Sequence, residues 1–271
     1  ITRMSAILDK EQIVSAANNL IECSTDATDL RMELPALVVF PENTQQIQGI
    51  IRLANEMGFP IVPRGGGSGM TGGAVPAKPR TVILSLSRLK EIIDVDPDNR
   101  TITLQSGVIT LNAIQAAAEK NLLFTVDPAS KAASSIGGNI SENAGGPYAF
   151  EYGTTLDNLL SYKMVLPTGE LIQIRRVDHP WHKIMPDETP VFEILDAVGT
   201  RKDTIVLKGD EIRGAALGKD VTNKFLGGLP GVQKEGVDGI ITEATFTLHP
   251  NLPHSRVMCL EFYGNSMRNA M

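Results

Sequence analysis

Apolar residues recur along the chain in two rhythms, one helical and one alternating. From Asp9 to Cys23, the residues Ile13, Val14, Ala17, Leu20 and Ile21 fall at helical spacing, which predicts a single helix. Ala36 to Phe40 is a short apolar run stopped by Pro41, the mark of a buried strand. Asn43-Thr44 can cap the next helix, whose face is Ile47, Ile50, Ile51 and Ala54 and whose end is Gly58. Phe59 to Pro63 reads as a further strand, so residues 36–63 predict one βαβ unit. Strands are predicted over 81–86, 92–95 and 101–106, with Asp96-Pro97-Asp98-Asn99 turning between the last two. An Ala-rich helix follows over 111–120, then strands over 159–166 and 171–175 around Pro167-Thr168-Gly169.

Residues 176–235 carry mixed charge and little rhythm, with a helix predicted at 190–198. Alternation returns in Gly239 to Leu248, a half-buried strand. Another strand is predicted at 256–263 and the start of a helix at 265–271, a βα pair from which a continuation of the natural protein is expected. The first residue, Ile1, is consistent with a cropped or processed start.

The length of 271 residues suggests roughly two compact units. With 42% hydrophobic and 21% charged residues the balance is that of a globular protein with a sizeable core. A net charge of −6 weighs against a nucleic-acid partner, which calls for a basic face. No apolar stretch reaches the ~18 residues of a membrane span. The two cysteines, Cys23 and Cys259, form neither a disulfide framework nor a cluster ligand set. A reducing, cytoplasmic setting is the expectation.

The 25 glycines matter for where they sit. Pro63-Arg64-Gly65-Gly66-Gly67-Ser68-Gly69-Met70-Thr71-Gly72-Gly73 holds six of them in eleven residues. Glycine admits positive φ and leaves bare N–H groups, and consecutive inward N–H groups form a nest for an anion such as a diphosphate. Arg64 can add charge or brace the loop; a flexible surface loop is the alternative. Gly67-x-Gly69-x-x-Gly72 matches the dinucleotide fingerprint, but that fingerprint opens straight into a helix. Here Pro76 and Pro79 intervene before a strand, and no Lys-Ser/Thr follows as in a P-loop. The expectation is a nest between strands that needs no helix terminus.

A second stretch, Ser134-Ser135-Ile136-Gly137-Gly138-Asn139-Ile140-Ser141-Glu142-Asn143-Ala144-Gly145-Gly146, follows Asp127-Pro128-Ala129-Ser130. Its neutral polar groups suit a planar heterocycle and a phosphate, although small residues also permit close helix packing. Add Tyr152-Gly153 and Glu235-Gly236-Val237-Asp238-Gly239-Ile240-Ile241-Thr242-Glu243-Ala244, and the ordered set resembles the FAD-binding domain of the vanillyl-alcohol oxidase / p-cresol methylhydroxylase superfamily. Within it, the glycolate oxidase and D-lactate dehydrogenase branch is most similar. The resemblance spans roughly residues 30–175 and 219–263.

The resemblance implies a bipartite α+β fold with FAD held between two subdomains: a lead-in at 1–30, subdomains at 31–106 and 107–250 with an insert near 176–218, and the start of a substrate domain at 251–271. Pro63, Arg64, Gly65, Gly66, Gly67, Ser68, Gly69 and Met70 would cradle the diphosphate. Pro128, Ala133, Ser134, Gly137, Gly138, Asn139, Ser141 and Gly145 would line the flavin side, and Ile241 would reach FAD through its backbone. Some superfamily members tether the flavin to a His near the first loop; this loop has none, so noncovalent FAD is expected. Residues 219–230 resemble long FAD-linked oxidases that carry iron–sulfur motifs, so the sequence leaves the electron acceptor open, with an iron–sulfur region or subunit as one option and a peripheral inner-membrane location as an option for the whole protein.

By the same resemblance, the reaction would be oxidation of a D-lactate- or glycolate-type 2-hydroxy acid by hydride transfer to flavin N5. A same-fold NADPH-dependent reductase and a non-catalytic FAD-carrying subunit are the alternatives. The base and the carboxylate anchor that such a reaction needs belong to the domain expected after residue 251, and no catalytic residue is assigned. His179-Pro180-Trp181-His182 lacks a third nearby ligand and reads as a surface loop, not a metal site. His249 and His254 read as structural, and Asp196, Asp203 and Asp210 as solvated surface.

Overall fold

The computed structural model describes residues 1–28, 33–214, 222–223, 228–254, 256–259, 261 and 263–264. In chain order its elements are β1 (Ile13–Val14), α1 (Ala17–Leu20), β2 (Leu37–Val39), α2 (Thr44–Met57), β3 (Ile61–Arg64), β4 (Val82–Ser85), β5 (Ile92–Asp96), β6 (Thr101–Gln105), α3 (Thr110–Glu119), β7 (Leu122–Leu123), α4 (Ile136–Glu142), α5 (Ala149–Tyr152), α6 (Thr155–Asn158), β8 (Leu159–Val165), β9 (Leu171–Arg176), β10 (Val191–Asp196), β11 (Arg201–Val206), α7 (Gly209–Ile212), β12 (Ile240–Thr247) and β13 (His249–Pro250).

Two sheets organise the chain, with helices alongside them, an α+β arrangement. The smaller sheet runs β1-β2-β4-β3, with β2, β4 and β3 parallel and β1 antiparallel at the edge. β2 and β3 are therefore joined by a right-sized helical crossover but are not neighbours, because β4 lies between them. α2 begins as its sequence predicts, with the Asn43 side chain accepting from Gln46 N at 2.9 Å, and ends at Gly58 with φ 66°. Of its buried face, Ile47, Ile50, Ile51 and Leu53 pack with Val39, Val82 and Leu84 of the sheet, and Ala54 is buried beside them in sequence.

The larger sheet is antiparallel throughout, in the order β11-β10-β9-β8-β12-β6-β5. β12, late in sequence, enters between β8 and β6 at its centre. Strand alternation sends Ile240 to the core of the small sheet and Ile241 to the core of the large one, so β12 joins the two halves. Sheet membership changes between Ser85 and Ile92, whereas the sequence pattern groups residues 92–106 with the first unit.

Three local predictions are corrected. Residues 9–23 do not form one helix: two short 3₁₀ turns and α1 flank β1, which pairs with β2. The β-branched pair Ile13-Val14 takes the sheet edge, and the Gln12 carbonyl accepts from Phe40 N at 2.9 Å, an acceptor that a helix would give to its own next turn. Residues 191–196 form a strand, not a helix; Phe192 and Leu195 are buried, and β10 gains partners on both edges. None of the described residues of 256–263 is in a strand; the chain instead pairs β13 with β7. The helix predicted at 265–271 lies outside the described residues.

A candidate cofactor cleft between two glycine segments

β3 ends at Arg64 and delivers the first glycine loop directly against the start of α4. No helix follows this loop, as its prolines dictate. The second stretch, however, does form a helix: Ser135 caps α4, its hydroxyl accepting from Gly138 N at 3.4 Å. A helix N-terminus therefore borders the first loop, contrary to the expectation of a nest unaided by one.

The two segments meet through glycine. A Cβ on Gly65 would collide with Ser135 Oγ, and one on Gly66 with the Ala133 carbonyl, whose carbon would lie at 2.9 Å. Gly67 has φ 64°, and a Cβ there would strike the Arg64 guanidinium. Glycine is thus required at 67 by a protein side chain. Gly69 and Gly138 differ, since a Cβ on either would meet only one neighbouring group, Glu142 Oε1 or Ser135 Oγ, each at 3.3 Å. Both line the cleft with little protein around the Cβ position.

The space between the segments is a cleft enclosing about 230 Å³. Of the residues predicted to hold a cofactor, Pro63, Arg64, Gly65, Gly66, Gly67, Ser68, Gly69, Pro128, Ser134, Gly137, Gly138, Asn139, Ser141 and Ile241 line it. Three do not. Met70 points outward with 76% of its surface exposed. Ala133 is spent on the contact with Gly66, and Gly145 packs toward Ala149 and Thr154.

Sequence reasoning missed residues that shape the walls. Thr110 opens α3 and accepts from Asn139 Nδ2 at 2.8 Å while its hydroxyl lies 2.8 Å from Ser134 Oγ. Ser134 and Asn139 are thus committed to Thr110, while buried Asn143 accepts from Leu156 N at 2.9 Å and donates to Gln233 Oε1 at 3.4 Å. The rim is formed by residues 233–239, pinned to α4 by Gln233 N to Ile140 O and Glu235 N to Ser141 O. Gln233 and Glu235 both adopt left-handed backbone, with φ 54° and 52°. Two non-glycine residues held there mark a segment whose shape the surroundings impose. Glu142 and Glu235 also flank the cleft, and the Glu142 carboxyl is raised above its ordinary range by lost hydration and by the charge on Glu235. Nothing in the local pattern of glutamates signals this placement.

The histidines lie elsewhere. His179 Nδ1 accepts from Trp181 N at 3.0 Å, so its Nε2 proton points to Asp157 O at 2.7 Å. His249 is buried against Tyr152, with Nε2 3.1 Å from Asn158 Oδ1. Burial chiefly lowers both to about 4, so both rings are neutral. His182 sits beside Glu188 at 3.3 Å. Among the described residues no group of three His, Cys, Asp or Glu side chains is arranged to hold a metal ion.

The insert near 176–218 has a visible structural role. It adds β10 and β11 to the sheet and is locked by a buried ion pair, Arg213 to Asp157 at 2.7 Å. The Asp157 carboxylate also accepts from Thr154 N and Ile184 N, each at 2.7 Å. Asp196, expected as solvated surface, instead ends β10 half-buried, where it accepts from Thr200 N at 2.8 Å and pairs with Lys202 at 3.0 Å.

A cleft walled by bare backbone on one side and a capped helix start on the other, at the seam of a small parallel and a large antiparallel sheet, defines a nucleotide-cofactor module of the kind found in flavoproteins. The chain belongs to the FAD binding domain family, whose model matches residues 35–175. It is 33% identical over 242 residues to the glycolate oxidase subunit GlcD of Bacillus subtilis, an alignment covering 89% of this chain and 43% of that protein. It is 32% identical over 176 residues to D-2-hydroxyglutarate dehydrogenase of Stutzerimonas stutzeri, covering 65% and 38% respectively. The fold matches p-cresol methylhydroxylase with a TM-score of 0.63 at 19% identity, over 93% of this chain and 43% of that one. The chain thus spans about two fifths of the length of these relatives.

FAD is the cofactor of this family, and the cleft fits it. Gly69 and Gly138 both line it with little protein around their Cβ positions, so main chain rather than side chain is what a bound molecule would meet there. Among the described residues no helix is long and apolar enough to cross a membrane.

Proposed function

We propose that the chain is the FAD-holding part of a flavin-dependent oxidoreductase that oxidises a small 2-hydroxy acid of the D-lactate or glycolate type. The observation that carries the reading is the joining of both glycine segments around one cleft, in a chain whose relatives include a glycolate oxidase subunit. Bound FAD would supply the hydride acceptor. The chain's own residues bind and orient: Gly65 to Gly69 offer amides to the diphosphate, Gly138 and Asn139 flank the ring, and Ile241 offers backbone from β12. The loop carries no histidine, which supports noncovalent FAD. None of these groups is a base, and we assign no residue of this chain to take the proton from the substrate hydroxyl. The electron acceptor is proposed to be an iron–sulfur region or subunit.

Equilibrium titration of the purified chain with FAD, read by quenching of flavin fluorescence, tests cofactor binding. Stopped-flow mixing of the full-length protein with D-lactate, glycolate or NADPH then tests the chemistry. Bleaching of the flavin by a hydroxy acid supports the proposal. Bleaching by NADPH alone would replace it with a reductase, and no bleaching by any of the three would leave a FAD-carrying subunit.

A further inference from the structure

Arg64 sits at the mouth of the glycine loop, yet its guanidinium turns away from a phosphate role. Nη1 donates to Thr25 O at 2.8 Å and to Ala74 O at 3.1 Å, and Nη2 donates to Glu22 O at 3.3 Å. Three backbone carbonyls from two separate segments converge on one side chain. Gly67 completes the arrangement, because only a residue without a Cβ can wrap so closely around that guanidinium. A second tie joins the same two segments: Ala27 N donates to Gly69 O at 3.1 Å. The segment 22–27 therefore crosses the back of the loop and is fastened to it at both ends.

From this geometry we propose that residues 22–27 form a strap that sets the shape of the diphosphate loop, with Arg64 as the positioning residue that fastens it. This rests on the cofactor reading of the cleft and extends it to a segment that lines no part of the site. A planar, five-donor guanidinium can serve three carbonyls at once; an ammonium is a compact point charge on a flexible stem and cannot span the same fork. Charge alone would be replaced by lysine, whereas bracing would not.

Cys23 lies inside the strap, half-buried against Leu20, Val38 and Ile83, while Cys259 is exposed. The rate at which a disulfide reagent such as DTNB modifies Cys23, with Cys259 as the internal standard, reads the strap directly. The variants are Arg64→Lys, Arg64→Ala and Ala27→Pro, the last deleting the donor to Gly69 O without altering any residue of the cleft. Expected are at least a tenfold weaker FAD affinity in both Arg64 variants, at least threefold weaker affinity in Ala27→Pro, and at least fivefold faster labelling of Cys23 in all three. Melting temperatures should stay within a few degrees of the parent chain.

Wild-type FAD affinity in Arg64→Lys, with loss only in Arg64→Ala, would show that charge is what matters and would overturn the strap. Unchanged Cys23 labelling in Arg64→Lys and Ala27→Pro would do the same. If the parent chain binds no FAD, the cofactor reading fails, while the labelling rates of the apo-protein still decide whether the strap exists.

Discussion

Gly66→Ala is the sharpest perturbation of the cleft. The new methyl carbon would overlap the Ala133 carbonyl oxygen and lie 2.9 Å from its carbon and 3.3 Å from Ser134 Cα. All three are backbone atoms, which cannot rotate away. Ordinary contact begins near 3.4 Å, so the loop and the start of α4 must part by at least half an ångström on the carbon and by more on the oxygen. Overpacking of this kind costs about 1–3 kcal/mol. For the ligand the consequence is larger, because hydrogen bonds to a charged group contribute about 1.5–3 kcal/mol each and weaken steeply with distance. Losing two amide contacts to the diphosphate amounts to roughly 3–6 kcal/mol, a fall in FAD affinity of about 100-fold or more. Fluorescence titration with FAD measures the affinity and scanning fluorimetry of the apo-protein measures the fold. A variant that binds FAD as the parent does, and melts with it, would refute the placement of the diphosphate between these segments.

Gly138→Ala offers the complementary result: the methyl meets only Ser135 Oγ at 3.3 Å, and alanine favours the helix by up to about 1 kcal/mol, so the apo-protein should melt no lower while FAD binds more weakly. Asp157→Asn removes the charge facing buried Arg213 and should cost about 3–5 kcal/mol, or a drop of about 10 °C in melting temperature. His179 and His249 are neutral when folded, with values lowered to about 4, and protonate near 6.5 when unfolded. Because the unfolded chain takes up protons first, stability should fall as pH drops from 6.5 towards 4, and His249→Gln should flatten that slope in thermal melts across this range.

Much of this was readable before any coordinates, and the failures have a common origin. α2 announces both its ends, because a capping Asn and a left-handed Gly are local devices, and β6 and β9 of the large sheet carry clean alternation. The first glycine loop is legible because proline forbids the helix a Rossmann loop would need. Residues 9–23 mislead because their apolar spacing is helical while Ile13 and Val14 are claimed by an edge of β2, a partner more than twenty residues away. Residues 191–196 mislead for the same reason: β9 and β11 supply the hydrogen bonds that decide for strand. Thr110 and Gln233 shape the cleft from positions whose own neighbours give no hint of it, and Glu235 stands in a quoted motif that marks no role for its side chain. What pairs across long separations is invisible to periodicity.

The glycines themselves show why a motif can be right about place and wrong about cause. Gly65, Gly66 and Gly67 are required by protein atoms, namely Ser135, Ala133 and Arg64, rather than by the space a phosphate fills. At Gly69 and Gly138 a Cβ would meet one neighbouring group apiece, at 3.3 Å. A glycine run of this sort is therefore mainly a device for bringing two stretches of main chain within touching distance, and the anion site is what their approach leaves between them. It follows that substitutions at 65, 66 and 67 should damage the apo-protein and the affinity together, whereas those at 69 and 138 should damage affinity alone. That separation, measured as melting temperature against FAD dissociation constant across the five positions, distinguishes a site made by packing from a row of amides that merely happens to be bare.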